Sequence, residues 1–185
     1  MPDGLHARAF LALARALTEA MPETFAGRPL TYVWCFKSAL RRFFFSSRVA
    51  AAVAGPARYD SDYEGIKVHA DEAAVNVNLW LTPDAANLDP ASGGLVIYTA
   101  KPGDAATVED YNARGDEFAR DLLEATGYAN VTVPYRQNRI VLFDGALFHR
   151  TDRFRFRKGY ENRRINLTLL FGAMRRGGVE VTGPI

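Results

Sequence analysis

Val75-Asn76-Val77-Asn78-Leu79-Trp80-Leu81 alternates strictly, the pattern of a strand with one buried and one polar face. Val75, Val77, Leu79 and Leu81 face one way; Asn76, Asn78 and Trp80 face the other. A second stretch, Arg164 to Phe171, has the same grammar. There Arg164, Asn166 and Thr168 share one face, and Ile165, Leu167, Leu169 and Phe171 share the other. Helices packed on the apolar faces would leave the polar faces lining the interior. A polar interior costs free energy unless it is satisfied or used, so this arrangement points to a site inside.

The rest of the chain fits such a plan. Leu5 to Met21 reads as a helix, with Leu5, Phe10, Leu13 and Leu17 near one face, Asp3 as N-cap and Pro22 after the end. A second helix is expected over Thr31 to Ser46, though its pattern is poor. Short strands are expected at Leu95 to Thr99, Val131 to Tyr135, Arg139 to Phe143 and Ala146 to Arg150. Asp144-Gly145 is a hairpin-type turn signal. Lys101 to Asn130 reads as an excursion with a helix at about Asp116 to Ala125, ended by Gly127. Its position suits an active-site flap or a plain surface excursion. Gly93-Gly94 reads as a turn. The expected fold is mainly β with N-terminal helices, an antiparallel sandwich or barrel with helices on one outer face.

The 185 residues are 48% hydrophobic and 24% charged, which describes one soluble globular domain. No run approaches the roughly 18 apolar residues of a membrane span. The start lacks a signal-peptide pattern, and the lone Cys35 excludes an internal disulfide and multi-cysteine zinc sites. A reducing, cytoplasmic compartment is expected. Net charge is only +2, so nucleic acid is not the expected partner. Charge is uneven, however. Arg136 to Arg176 holds eleven basic residues against Asp144, Asp152 and Glu161, chiefly a solvated basic face.

Three histidines are present: His6, His69 and His149. His69 and Asp71 form His-x-Asp, which an extended segment places on one side. His149 ends a strand 80 residues later. Two imidazoles and one carboxylate can hold Fe(II) on one face of an octahedron and leave three positions open. His-x-Asp alone is a weak signal, and each histidine also suits a plain structural role. The order raises its weight: the motif precedes an alternating strand, His149 follows a glycine turn, and Arg164 comes 15 residues on, on a polar face.

With these stretches in place, GIKVHADEAAVNVNLWL (65–81), GGLVIY (93–98), RIVLFDGALFH (139–149) and RRINLTLLFG (163–172), the sequence resembles the iron(II)- and 2-oxoglutarate-dependent oxygenases. The resemblance covers about Gly65 to Gly172. It implies a double-stranded β-helix, the jelly-roll or cupin-like fold, with helices packed on one sheet. It divides the 185-residue single domain into a helical part, about 1–58, a catalytic core, about 59–175, and a short basic tail. Residues 37–58 look like an insertion relative to family members. It implies His69, Asp71 and His149 as iron ligands and Arg164 as the group that binds the far carboxylate of 2-oxoglutarate. Strand parity favours Arg164 over Arg163, which lines up with Ile165 and Leu167. Arg164 pairing with Asp144 or Asp152 is the competing role.

Asn166 stands where the family often has serine, and an amide can still donate to a carboxylate. Asn78 is a candidate for contact with 2-oxoglutarate or a ligand, or for polar filler in the sheet. Tyr59 and Tyr63 are candidate hydroxyls for the co-substrate. The long interval between His149 and Arg164 holds the arginine-rich turn Thr151 to Lys158, a candidate rim for an anionic substrate. The implied activity is oxidation, usually hydroxylation, of a small molecule or protein side chain, coupled to O2 consumption and conversion of 2-oxoglutarate to succinate. Two other readings keep the same residues: a cupin-like metal enzyme without 2-oxoglutarate, and a non-catalytic jelly-roll binding module.

Overall fold

A computed structural model describes residues 8–37, 66–103, 115–173, 175–176 and 179–180. The expectations for Asp3, His6, Tyr59, Tyr63 and residues 38–58 lie outside the described residues.

The chain opens with helix α1 (Arg8–Ala20) and the short α2 (Pro22–Phe25). Strands β1 (Leu30–Lys37) and β2 (Val75–Trp80) follow. Next come β3 (Leu95–Tyr98), helix α3 (Gly115–Ala125), β4 (Asn130–Val133), β5 (Ile140–Phe143), β6 (His149–Thr151) and β7 (Ile165–Phe171). Two-residue strands β8 (Arg175–Arg176) and β9 (Val179–Glu180) pair near the end. The main strands form two antiparallel sheets, ordered β1-β7-β2-β5 and β4-β3-β6.

The parity expected for β2 and β7 holds. Val75, Val77, Leu167, Leu169 and Phe171 form one core with Ala14, Leu17 and Phe25 of the N-terminal helices. The Phe25 and Phe171 rings lie 4.6 Å apart. Burying side chains of this size stabilises by about 1.5–3 kcal/mol each. A second core, with Trp80, Leu95, Ile97, Tyr135, Phe154 and Phe156, fills the space between the sheets.

Three expectations are corrected. Leu30–Lys37 is a strand, not the start of a helix, and it pairs with β7 along its length. Tyr32, Trp34 and Phe36 alternate with Val33 and Cys35; both faces are apolar, which hides the period of two. Helices also cover both sheets. Ala119 and Leu123 of α3 pack on Val96 and Tyr98 of the three-stranded sheet, away from α1 and α2. Finally, Asp144-Gly145 does not close a hairpin: β5 pairs with β2, whereas β6 pairs with β3. The turn, closed by Leu147 N–H to Asp144 O at 3.0 Å, carries the chain between sheets. A Cβ on Gly145 would lie 2.5 Å from the Ala73 carbonyl oxygen. That close approach lets the Gly145 carbonyl accept the Asp71 backbone N–H at 2.9 Å.

The interval between His149 and Arg164 is also explained. Phe154 and Phe156 point into the core, while Arg153, Arg155 and Arg157 are exposed. The segment pairs with the loop before β3 through an Asn87–Phe156 bridge. Among the described residues, no helix is long and apolar enough to cross a membrane.

Candidate metal centre

His69 and His149 face each other across an isolated antiparallel bridge. Each backbone N–H donates to the other's carbonyl, at 3.0 and 2.8 Å. This non-local pairing brings the two imidazoles together, their ring centroids 4.2 Å apart. Asp71, two residues beyond His69, projects to the same place. One donor atom from each of the three residues lies within 4.8 Å of the others. His69 Nε2 is 3.9 Å from Asp71 Oδ1, and His149 Nε2 is 3.5 Å from Asp71 Oδ2.

The second ring nitrogens determine what these imidazoles offer. His69 Nδ1 lies 2.7 Å from the Lys67 carbonyl, and His149 Nδ1 lies 2.9 Å from the Leu147 carbonyl. A carbonyl only accepts, so each Nδ1 carries the proton, and each Nε2 keeps its lone pair toward Asp71. Burial, then the charge of His149, pushes the His69 pKa down to about 4, so the ring is a neutral base at pH 7. Burial pushes the Asp71 carboxyl up, but the adjoining His149 and His69 side chains hold it below its ordinary value. Two imidazole nitrogens and one carboxylate are a donor set that fits a divalent first-row metal such as Fe(II).

Behind Asp71 runs a line of amides. Asn76 donates to Asp71 Oδ2. Asn78 Nδ2 donates to Asn76 Oδ1 at 2.6 Å. Asn78 Oδ1 accepts from Asn166 Nδ2 at 2.7 Å and from Thr168 Oγ1 at 3.1 Å. Asn166 Nδ2 also donates to Thr168 Oγ1 at 2.8 Å. A carboxylate only accepts, so each amide in turn has its orientation set from Asp71 outward. Both N–H donors of Asn166 are thereby used, and its Oδ1 is buried with no partner. Donation from Asn166 to a bound carboxylate would require breaking this line.

Arg164, 5% exposed, donates from Nε to the Gly93 carbonyl at 2.7 Å and from Nη2 to the Gly94 carbonyl at 3.3 Å. The rings of Trp80, Tyr135 and Phe154 surround its guanidinium carbon at 6.0, 5.9 and 5.6 Å. Asp144 pairs with Lys101, and the Asp152 carboxylate caps the N–H of Arg153. Gly94 can have no side chain, because a Cβ would meet the Val133 carbonyl oxygen at 1.8 Å. The glycine pair is thus a cradle for Arg164.

One cavity lies at the three candidate ligands and the amides behind them. Its walls include His69, Asp71, His149, Asn78, Asn166, Thr168 and Leu95. Trp34 and Phe36 form an aromatic wall that the helix expectation concealed. Cys35, on the opposite face of β1, packs toward α1; burial raises its thiol pKa against a smaller lowering from Lys37.

No protein-family model matches the chain, and no curated protein matches it. Among solved structures, it is similar to an N-substituted L-amino acid dioxygenase from Burkholderia ambifaria, at 16% identity and TM-score 0.35, over 60% of this chain and 47% of that one. It is similar to HygX from Streptomyces hygroscopicus, at 13% identity and TM-score 0.42, over 93% and 70% of the two chains. It is similar to SnoK, a non-heme alpha ketoglutarate dependent carbocyclase from nogalamycin biosynthesis, at 12% identity and TM-score 0.32, over 68% and 53%. The chain spans about half the length of the first and third of these proteins.

Proposed function

We propose that this chain is a non-haem Fe(II) oxygenase that uses 2-oxoglutarate and O2 to oxidise, typically to hydroxylate, a second substrate. The same reading takes the two sheets as a double-stranded β-helix and the chain as one domain. The observation that carries it is the His69–His149 bridge. It spends both Nδ1 protons on backbone carbonyls and aims both Nε2 atoms at the Asp71 carboxylate. A purely structural histidine pair does not need two bare nitrogens converging on a buried acid.

His69, Asp71 and His149 would hold the metal. Iron with 2-oxoglutarate supplies oxygen activation, coupled to release of succinate and carbon dioxide. The chain's own work is placement. Arg164, its guanidinium fixed by two carbonyls, meets the distal carboxylate through charge-assisted bonds. Asn76 orients Asp71, and Asn78 and Asn166 extend that support to β7. Trp34 and Phe36 limit water on the β1 side of the cavity.

The test is anaerobic addition of Fe(II) and then 2-oxoglutarate, watching for the visible charge-transfer band of the chelate. The band should form in the wild type and be absent in His149→Ala and Asp71→Ala. A wild type that binds Fe(II) but gives no band would favour a cupin-like enzyme without 2-oxoglutarate. A wild type that binds no metal would favour a non-catalytic module.

A further inference from the structure

A second cavity, of about 330 Å³, has Arg28, Ala74, Lys101, Asp144 and Ala146 among its walls. Arg28 precedes β1, Ala74 precedes β2 and Asp144 follows β5. The strand pairing brings these ends together, with Leu30 and Val75 both opposite Phe171 and Asn76 opposite Phe143. Among the described residues, none lines both this cavity and the one at the candidate metal ligands. The Asp144-Gly145 turn touches both places. Asp144 is a wall here, and the Gly145 carbonyl accepts the Asp71 backbone N–H at 2.9 Å.

Arg28 is partly buried, and its guanidinium is underused. Nη1 donates to the carbonyl of Thr24 in α2, its one side-chain hydrogen bond among the described residues. Nε is buried with no partner. Nη1 lies on the Cδ side of the guanidinium, so Nε and Nη2 together form the intact fork that a carboxylate or phosphate accepts side-on. The Thr24 bond fixes the plane of the group and leaves this fork unused. A buried donor on a charged group costs free energy that an oxygen acceptor would recover.

The other walls suit an anion. Lys101 pairs with Asp144, but the two side chains are 48% and 45% exposed. Such an exposed pair is weak, so Lys101 can exchange Asp144 for a ligand oxygen at little cost. Asp144 keeps its bond from the Ala146 N–H at 3.0 Å. Two cations less one acid leave a net charge of +1 on these walls. Ala74 and Ala146 are small and leave room. The volume is at the lower end of small-molecule sites, which run from about 300 to 1,000 Å³.

We propose that this cavity is a second binding site, separate from the candidate metal centre, for a small molecule that carries a carboxylate or phosphate group. The oxyanion takes the Arg28 fork through two charge-assisted bonds, and Lys101 swings from Asp144 to a further oxygen. The assignment does not depend on the oxygenase reading.

The test is calorimetric titration of the full chain with inorganic phosphate, ribose 5-phosphate or succinate, at an ionic strength fixed with sodium chloride. Saturable binding of either phosphate probe assigns a phosphate group, and saturable binding of succinate assigns a carboxylate. Arg28→Gln should raise the Kd of the bound probe at least about tenfold. Lys101→Gln should raise it about two- to fivefold. His149→Ala should bind the probe as the wild type does, because the metal centre is not involved. No saturable binding of any probe, unchanged affinity in Arg28→Gln or Lys101→Gln, or loss of binding in His149→Ala overturns the proposal.

A second measurement does not depend on the folding of the glutamine variants. In the 15N-labelled chain, the Arg28 Nε–H signal is identified by its absence in Arg28→Lys. In the wild type it should shift and become protected from exchange as the bound probe is added. An Arg28 signal that stays in place overturns the proposal.

Discussion

Asn76 donates its side-chain amide to Asp71 Oδ2, and both residues are buried. The bond fixes the carboxylate from behind and sets the polarity of the amides that follow. Replacing Asn76 with leucine removes the donor and frees Asp71 to rotate. It also leaves the Asn78 amide without its acceptor. Affinity for Co(II) or Fe(II) should fall about 10- to 100-fold, as when other outer partners of metal ligands are removed. Stability should drop by about 1–3 kcal/mol. Metal titration and urea unfolding read the two effects separately. Unchanged metal affinity would show that Asp71 is held by its backbone alone.

Gly94→Ala tests the cradle under Arg164. The added Cβ would press on the Val133 carbonyl oxygen at 1.8 Å, and backbone cannot move aside as a side chain can. β3 and β4 must separate or shift, and the carbonyl that receives Arg164 shifts with them. A loss of about 3 kcal/mol or more is expected in thermal or urea unfolding. A variant as stable as the wild type would contradict the β3–β4 register.

These two sites mark where reading the residues alone succeeds and stops. The alternation around Asn76 and Asn78 shows both the strand and its polar face, because period-two polarity is a local signal. Parity along β7 likewise separates Arg164 from Arg163. Strand β1 is missed because its inward face is aromatic and its outward face aliphatic, so neither side is marked by polarity. Gly93-Gly94 and Asp144-Gly145 are visible as turns, but what each turn touches is non-local. A glycine that cradles an arginine 70 residues away, or a turn that crosses between sheets, carries the same local signature as an ordinary bend. The histidines can be listed from the sequence, but their bridge depends on two segments far apart in the chain.

The partly buried imidazole of His69 makes the metal-free protein sensitive to acid. In the unfolded chain this histidine takes a proton near pH 6.5, whereas in the folded chain it resists until about pH 4. Between those values the unfolded state binds more protons, so stability is fully present above pH 6.5 and is lost as pH falls toward 4. The loss from this residue is at most roughly 3 kcal/mol. Asp71, with its pKa lowered, adds a second loss in more acidic solution, as the carboxylate is protonated. Urea unfolding at pH 7 and pH 4.5 should show a smaller decline for His69→Asn than for the wild type. An equal decline would place the sensitivity elsewhere.

Arg164→Lys separates charge from geometry at the Gly93–Gly94 cradle. The guanidinium is oriented by bonds from Nε and Nη2 to two successive carbonyls, and its planar fork matches a carboxylate. Lysine keeps the positive charge but has one nitrogen, which cannot hold both carbonyls and also present a fork. The Kd for 2-oxoglutarate should therefore rise at least about tenfold, the cost of one lost charge-assisted bond. Fe(II) affinity should stay at the wild-type value, because none of the three candidate ligands touches Arg164. Succinate formation should recover at saturating 2-oxoglutarate, which distinguishes weaker co-substrate binding from a damaged metal centre. If lysine binds 2-oxoglutarate as tightly as arginine does, the fork is not what recognises the co-substrate, and Arg164 belongs to the packing of Gly93 and Gly94 instead.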